Sequence, residues 1–198
     1  MPTTLGSPSF HYWDSVDPAT FLAHDWENPS RAWATTRALE AARAGDGTLL
    51  EVGPGPGVDY ARAFREAVLA GALQYSAVEG SGTLHAALAA RYPEATWRCE
   101  PLLQLGPASA DVVYARHVLE HQPALQPALS ILLAAARRTV VLTWYRPPGP
   151  RAFGETWKGV PCQTYARADV LAGIAEAGFR IVASERVDGD EAWVLERT

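Results

Sequence analysis

The sequence predicts an α/β fold with a largely parallel sheet, and three observations predict it. Short apolar runs alternate with helix-length segments, the pattern of a sheet with helices on its faces. The first of these runs enters a loop with three glycines, Gly53, Gly55 and Gly57. The last two runs flank Asp188-Gly189, a dipeptide that joins antiparallel strands, so the sheet is expected to end in an antiparallel pair.

Each element follows from its own signals. Pro29-Ser30 with Arg31 to Ala44 reads as a helix, Ser30 its N-cap and Gly45 its stop. Thr48 to Val52 is the first strand. Asp59 to Ala70 is helical, because Tyr60, Phe64 and Val68 recur every four residues before Gly71. Leu73 to Val78 is the second strand. Thr83 to Arg91 is a helix that must end before Pro93. Ala95 to Cys99 and Asp111 to Ala115 are the third and fourth strands, and Leu125, Leu129 and Leu132 mark a helical face. Thr139 to Trp144 is apolar nearly throughout, as in a strand buried on both sides. A Pro/Gly/Arg-rich stretch, Tyr145 to Tyr165, interrupts the alternation and reads as a loop. A helix, Ala168 to Ala177, and strands Phe179 to Val187 and Glu191 to Glu196 complete the chain.

The 198 residues fit one domain. It divides into an N-terminal helical lid (1–45), a core (46–144), a substrate loop (145–167) and a C-terminal helix and hairpin (168–198). A net charge of −5 with few clustered basic residues, Arg137-Arg138 and the loop arginines Arg146 and Arg151, argues against nucleic acid as a partner. No stretch is apolar for the roughly 20 residues of a membrane span, and Met1 to Phe10 lacks a signal-peptide pattern. Cys99 and Cys162 stand alone, which disfavours a disulfide scaffold and a cysteine-rich zinc site. The expectation is a cytoplasmic protein without a metal, either monomer or homodimer.

The chemistry concentrates in Glu51-Val52-Gly53-Pro54-Gly55-Pro56-Gly57, between a strand and a helix. Glycines let a backbone approach a ligand closely, and a helix start offers unpaired N–H groups. Glu79 closes the second strand, where a doubly wound sheet places a ribose-binding carboxylate about 20 residues further on. A dinucleotide site would have a third glycine at the close-packing position, whereas Val58 stands there.

This G-x-G-x-G loop after an acidic residue resembles the class I S-adenosylmethionine-dependent methyltransferases. Tyr75 to Ser81 looks like that family's second motif, and Asp111 to His121, with its His117-Val118-Leu119-Glu120-His121 run, is similar to its fourth-strand motif. Ala177-Gly178-Phe179 matches the usual start of its sixth strand. The resemblance implies a Rossmann-like three-layer α/β/α sandwich around a seven-stranded sheet. It implies S-adenosylmethionine as cofactor and S-adenosylhomocysteine as product. Glu51, Gly53, Pro54, Gly55 and Gly57 would surround the methionine moiety; Glu79, Gly80 and Ser81 the ribose; Ala115, Arg116 and His117 the sulfonium. Where the family has Gly-Asp-Ala after the third strand, this chain has Glu100, Pro101 and Leu102. Either Glu100 substitutes from one position earlier, or the Leu102 backbone and apolar walls hold the adenine.

The acceptor is expected to be a small molecule, since the chain leaves little room for an inserted recognition domain. Tyr12, Trp13, Trp157 and Tyr165 are the candidates for its walls; Trp26 and Trp33 read as packing residues. His117 is the candidate base, while His121 reads as a helix-start or surface histidine. Arg146 and Arg151 are either anion ligands or solvated loop residues. Two alternatives stand beside this reading: a non-catalytic cofactor-binding or interaction module, and an NAD-dependent oxidoreductase.

Overall fold

The computed structural model describes residues 8–19 and 28–198, with side chains from Tyr12 onward; Trp26 lies outside the described residues. Helix α1 (Pro8–Ser15) precedes α2 (Pro29–Arg43). Strand β1 (Thr48–Val52) leads through the glycine loop into a π-helical segment, Tyr60–Phe64, and α3 (Arg65–Leu69). Then come β2 (Gln74–Glu79), α4 (Gly82–Arg91), β3 (Thr96–Cys99), β4 (Ala110–Arg116), α5 (Ala128–Ala135) and β5 (Ala136–Trp144). The chain ends with β6 (Phe153–Trp157), β7 (Val160–Thr164), α6 (Arg167–Glu176), β8 (Phe179–Val187) and β9 (Asp190–Arg197).

The main sheet has seven strands in the order β3-β2-β1-β4-β5-β9-β8. The first five run parallel, and β9 runs against both of its neighbours. Strand residues alternate between two cores. Leu49, Val112 and Tyr114 face α2 and the π-helical segment, while Leu50, Val113 and Ala115 face α5. Both faces of the central strands are thus covered, which is why their sequences read as continuous apolar runs. Helix α2 lies close to the sheet because its inward row is Ala34, Ala38 and Ala42, all buried. Asp188 and Gly189 both take positive φ, +51° and +89°, the type I′ geometry that turns β8 into β9.

Three sequence expectations are corrected. Asn28, not Ser30, is the N-cap of α2, and its side chain accepts from the Ser30 N–H; Pro29 then occupies the first helical turn, where its missing N–H costs nothing. The helix after the glycine loop opens as a π turn before becoming α-helical. The stretch 145–167 is not a plain loop: β6 and β7 pair antiparallel within it. Lys158 and Gly159 both have positive φ at its tip, a second two-residue turn. Every residue of β6 is exposed, so this ribbon carries no burial alternation for a sequence reading to detect.

Candidate functional site

A cleft of about 680 Å³ opens at the carboxyl ends of β1, β2 and β4. Parallel sheets bind ligands there, where the strand order reverses, and the volume suits a small-molecule site. The glycine loop forms one wall. Gly53 extends β1 by donating to the Val78 carbonyl at 2.9 Å. Gly55 donates to Glu79 Oε2 at 3.0 Å, and Ser81 donates to Glu79 Oε1 at 2.9 Å. Gly55 takes φ +57°, has no atom of the described residues within 4 Å of where a Cβ would stand, and lines the cleft. Gly57 is different: a Cβ there would meet Leu88 at 2.5 Å. It seats the loop on α4 and does not line the cleft.

The cleft is acidic at depth. Glu51 is buried and accepts from the Tyr75 hydroxyl at 2.5 Å. Burial, followed by the charge of Asp59, pushes its carboxyl up to about 8. Burial likewise lifts Glu79 to about 7, although backbone N–H groups at Ser81, Gly55 and Gly80 pull the other way. Beside Glu51, Arg31 of α2 forms a buried ion pair with Asp59, whose other oxygen accepts from the Tyr114 hydroxyl at 2.7 Å. Arg31 and Asp59 both line the cleft. Neither stood among the sequence candidates, because Arg31 reaches the site only through the docking of α2.

Glu100, Pro101 and Leu102 line the far wall, continued by Leu103 and Gln104. Glu79 and Glu100 are linked through backbone, the Glu100 N–H donating to the Glu79 carbonyl at 3.1 Å. Ala115 is buried in the strand behind the site, whereas Arg116 and His117 line it. Ser81 does not line the cleft: it caps α4, accepting from the Leu84 N–H, and donates to Asp14 of α1 at 2.7 Å. That bond ties the N-terminal helix across the mouth.

The other side is aromatic. Trp13, His117, His121 and Tyr145 line it. Trp13 meets His121 with ring centroids 5.5 Å apart, His121 meets Tyr145 at 5.5 Å, and Tyr145 meets His117 at 5.3 Å. Tyr12 joins Trp13 to Trp157 on the hairpin, at 5.1 and 5.0 Å, so these two stand at the rim. Tyr165 is corrected: it lies in the core against Trp144, its hydroxyl donating to the carbonyls of Leu119 and Gln122, away from the cleft. His121 is corrected as well. It is a half-buried wall of the cleft rather than a surface residue, with Nδ1 2.9 Å from the Pro161 carbonyl of β7. Its signal lies 40 residues away, in a hairpin the sequence did not disclose.

His117 sits at the end of β4 with φ +56°, a strained conformation for a non-glycine residue that marks functional sites. Its Nε2 is 3.0 Å from Asp190 Oδ2, an atom that also accepts from Ser30 and Asn28. Burial would raise Asp190, but the bonds from His117 and Ser30 outweigh it and hold the carboxyl below its usual range. Glu120, fully buried, accepts from the Tyr145 N–H at 2.7 Å, and burial pushes it up to about 8. Arg146 pairs with Glu155, and Arg137 with Asp46 and Asp111. Among the described residues no group of acidic, histidine and cysteine side chains could hold a metal, and no helix is long and apolar enough to cross a membrane.

No family model matches the chain, and no curated relative does. Solved structures share its fold. One is 1,6-didemethyltoxoflavin-N1-methyltransferase from Burkholderia thailandensis, solved with 1,6-didemethyltoxoflavin and S-adenosylhomocysteine. The likeness covers 100% of this chain and 93% of that one at 20% identity, TM-score 0.63. An S-adenosylmethionine-bound amino pentose methyltransferase from Micromonospora echinaspora matches over 91% and 95% at 16% identity, TM-score 0.67. A protein described as a putative Zn-dependent alcohol dehydrogenase from Rhodobacter sphaeroides matches over 98% and 100% at 11% identity, TM-score 0.72. The chain has the Rossmann-like fold of the class I methyltransferases, a mostly parallel seven-stranded sheet with one antiparallel strand.

Proposed function

We propose that this protein transfers a methyl group from S-adenosylmethionine to a small-molecule acceptor. The observation that carries the reading is the glycine loop pinned by Glu79 over a cleft whose depth holds the buried carboxyl of Glu51. Glu51 fits the ammonium of the cofactor's amino-acid end, since a cation there would relieve the cost of ionising a buried carboxylate. Arg31 fits the carboxylate of the same moiety. Gly53, Pro54 and Gly55 supply the backbone wall beside it, and Gly57 supports that wall from behind. Glu79 and Gly80 fit the ribose, with Ser81 fixing the helix start. Glu100, Pro101 and Leu102 fit the adenine; Arg116 and His117 face the reacting end.

The bound cofactor would supply an activated methyl group on a sulfonium. The chain's own work is then to orient the acceptor, exclude water and place charge. Trp13 and Tyr145 wall the acceptor side, with Tyr12 and Trp157 at its rim, and α1 covers it through Asp14 and Ser81. His117, held by Asp190, and His121, held by the Pro161 carbonyl, are the two imidazoles on this side. Calorimetric titration with S-adenosylmethionine, S-adenosylhomocysteine and NAD tests the reading. Binding of the first two and not NAD is expected; binding of NAD alone would favour the oxidoreductase chemistry named for one structural neighbour.

A further inference from the structure

We infer that the methyl acceptor is a flat, unsaturated ring bearing an acidic O–H or N–H, held against the wall of Trp13, His121, Tyr145 and His117, and that His121 Nε2 takes its proton. This deepens the methyltransferase reading and rests on it.

The wall is continuous. Its four rings form an unbroken series with centroids 5.3 to 5.5 Å apart, and all four line the cleft. Such a surface favours flat partners, offset-stacked or edge-on. The proposed methyl donor is itself a cation, so a ring that builds negative charge as its proton leaves would be stabilised beside it.

The two histidines are held differently. The Pro161 carbonyl can only accept, so the hydrogen of neutral His121 sits on Nδ1 and the lone pair on Nε2. The groups packed around the ring are Trp13 from α1, His117 from its own turn, Tyr145 and Arg146 from the end of β5, and the Pro161 carbonyl from β7. Burial lowers its pKa below 6.5 against the opposing pull of the Pro161 carbonyl, and His117 and Arg146 lower it further. His121 is therefore a neutral acceptor at physiological pH. His117 differs in facing a carboxylate: its Nε2 and Arg116 both approach Asp190, which ties the end of β4 to β9. In the step itself the acceptor's proton passes to His121 Nε2 while the acceptor's electron pair bonds the methyl carbon. The carbon–sulfur pair stays on sulfur, and the imidazolium then releases its proton to water.

The test uses the whole protein saturated with S-adenosylhomocysteine, titrated with 7-hydroxycoumarin and 2-naphthol, and with cyclohexanol and ethanolamine as controls. Heat of binding and the phenolate absorbance of the bound coumarin are both read. The two rings should bind and the controls should not. Trp13→Ala should weaken the rings at least tenfold, and Trp13→Phe should restore most of the loss. His121→Asn should still bind S-adenosylhomocysteine but lose the phenolate band seen in the wild type near neutral pH. If S-adenosylhomocysteine binds and the rings do not, the acceptor class is wrong. If His121→Asn keeps the phenolate band, the assignment of the proton acceptor is wrong. If S-adenosylhomocysteine itself does not bind, the methyltransferase reading fails before this one is reached.

Discussion

Glu79 and Gly55 face each other across the mouth of the cleft, the carboxylate Oε2 accepting the glycine N–H at 3.0 Å. One side chain thus sets the position of the loop and offers its remaining lone pairs to whatever lies beneath it.

Replacing Glu79 should therefore damage binding twice. Glu79→Ala is expected to weaken S-adenosylhomocysteine at least tenfold, about 1.4 kcal/mol, because the loop anchor and the hydroxyl partner are lost together. Glu79→Gln keeps one acceptor and should fall between. Calorimetry ranks the three; equal affinities would detach Glu79 from the ligand.

Glu51 makes binding a proton-linked event. In the free protein it retains its proton up to about pH 8, and an ammonium partner favours the ionised form. Binding should therefore release a proton, and affinity should climb as pH rises toward 8. Titrations at one pH in buffers of different ionisation enthalpy measure the release directly. Glu51→Gln should remove the part of the release and of the slope that lies above pH 7, where Glu79 is already largely ionised.

The glycines should separate by function. Gly57→Ala puts a Cβ 2.5 Å from Leu88 at φ +81° and should destabilise the fold by about 1–3 kcal/mol. Gly55→Ala meets no protein atom, so strain alone should cost about 1 kcal/mol, with a larger loss in cofactor affinity. Thermal melts with and without S-adenosylhomocysteine distinguish the two.

Glu120 should make the ligand-free protein less stable in mild alkali. Its Oε2 is buried with no hydrogen-bond partner among the described residues, an arrangement suited to a neutral carboxyl group. A carboxyl whose folded pKa is raised contributes stability that is full below the ordinary glutamate range and is lost as pH rises through the folded value, about 8. The melting temperature should fall between pH 6 and pH 8.5, and Glu120→Gln should shrink that fall. An undiminished fall in the variant would assign it to Glu51 and Glu79.

What the sequence disclosed follows from where its signals lie. β1, β4 and β5 were legible because burial on both faces makes each an apolar run, and Asp188-Gly189 because its turn type demands those residues. The place of Glu51, Gly55 and Glu79 in the cleft lining was legible because a strand-loop-helix unit sets these positions at fixed offsets. Arg31 and Asp190 were not, since each arrives only when α2 packs on the sheet and β9 pairs with β5. The β6–β7 hairpin was hidden by its own exposure, and with it the environment of His121.

That hairpin makes the site modular. The grip on His121 comes from a main-chain carbonyl at Pro161, which survives any substitution that preserves the ribbon. The side chains projecting from the same ribbon, Phe153 and Trp157 among them, are exposed and contribute little to the core. Substitutions along the exposed ribbon can therefore reshape the rim beside Tyr12 while leaving the residues around Glu51 and Glu79 in place.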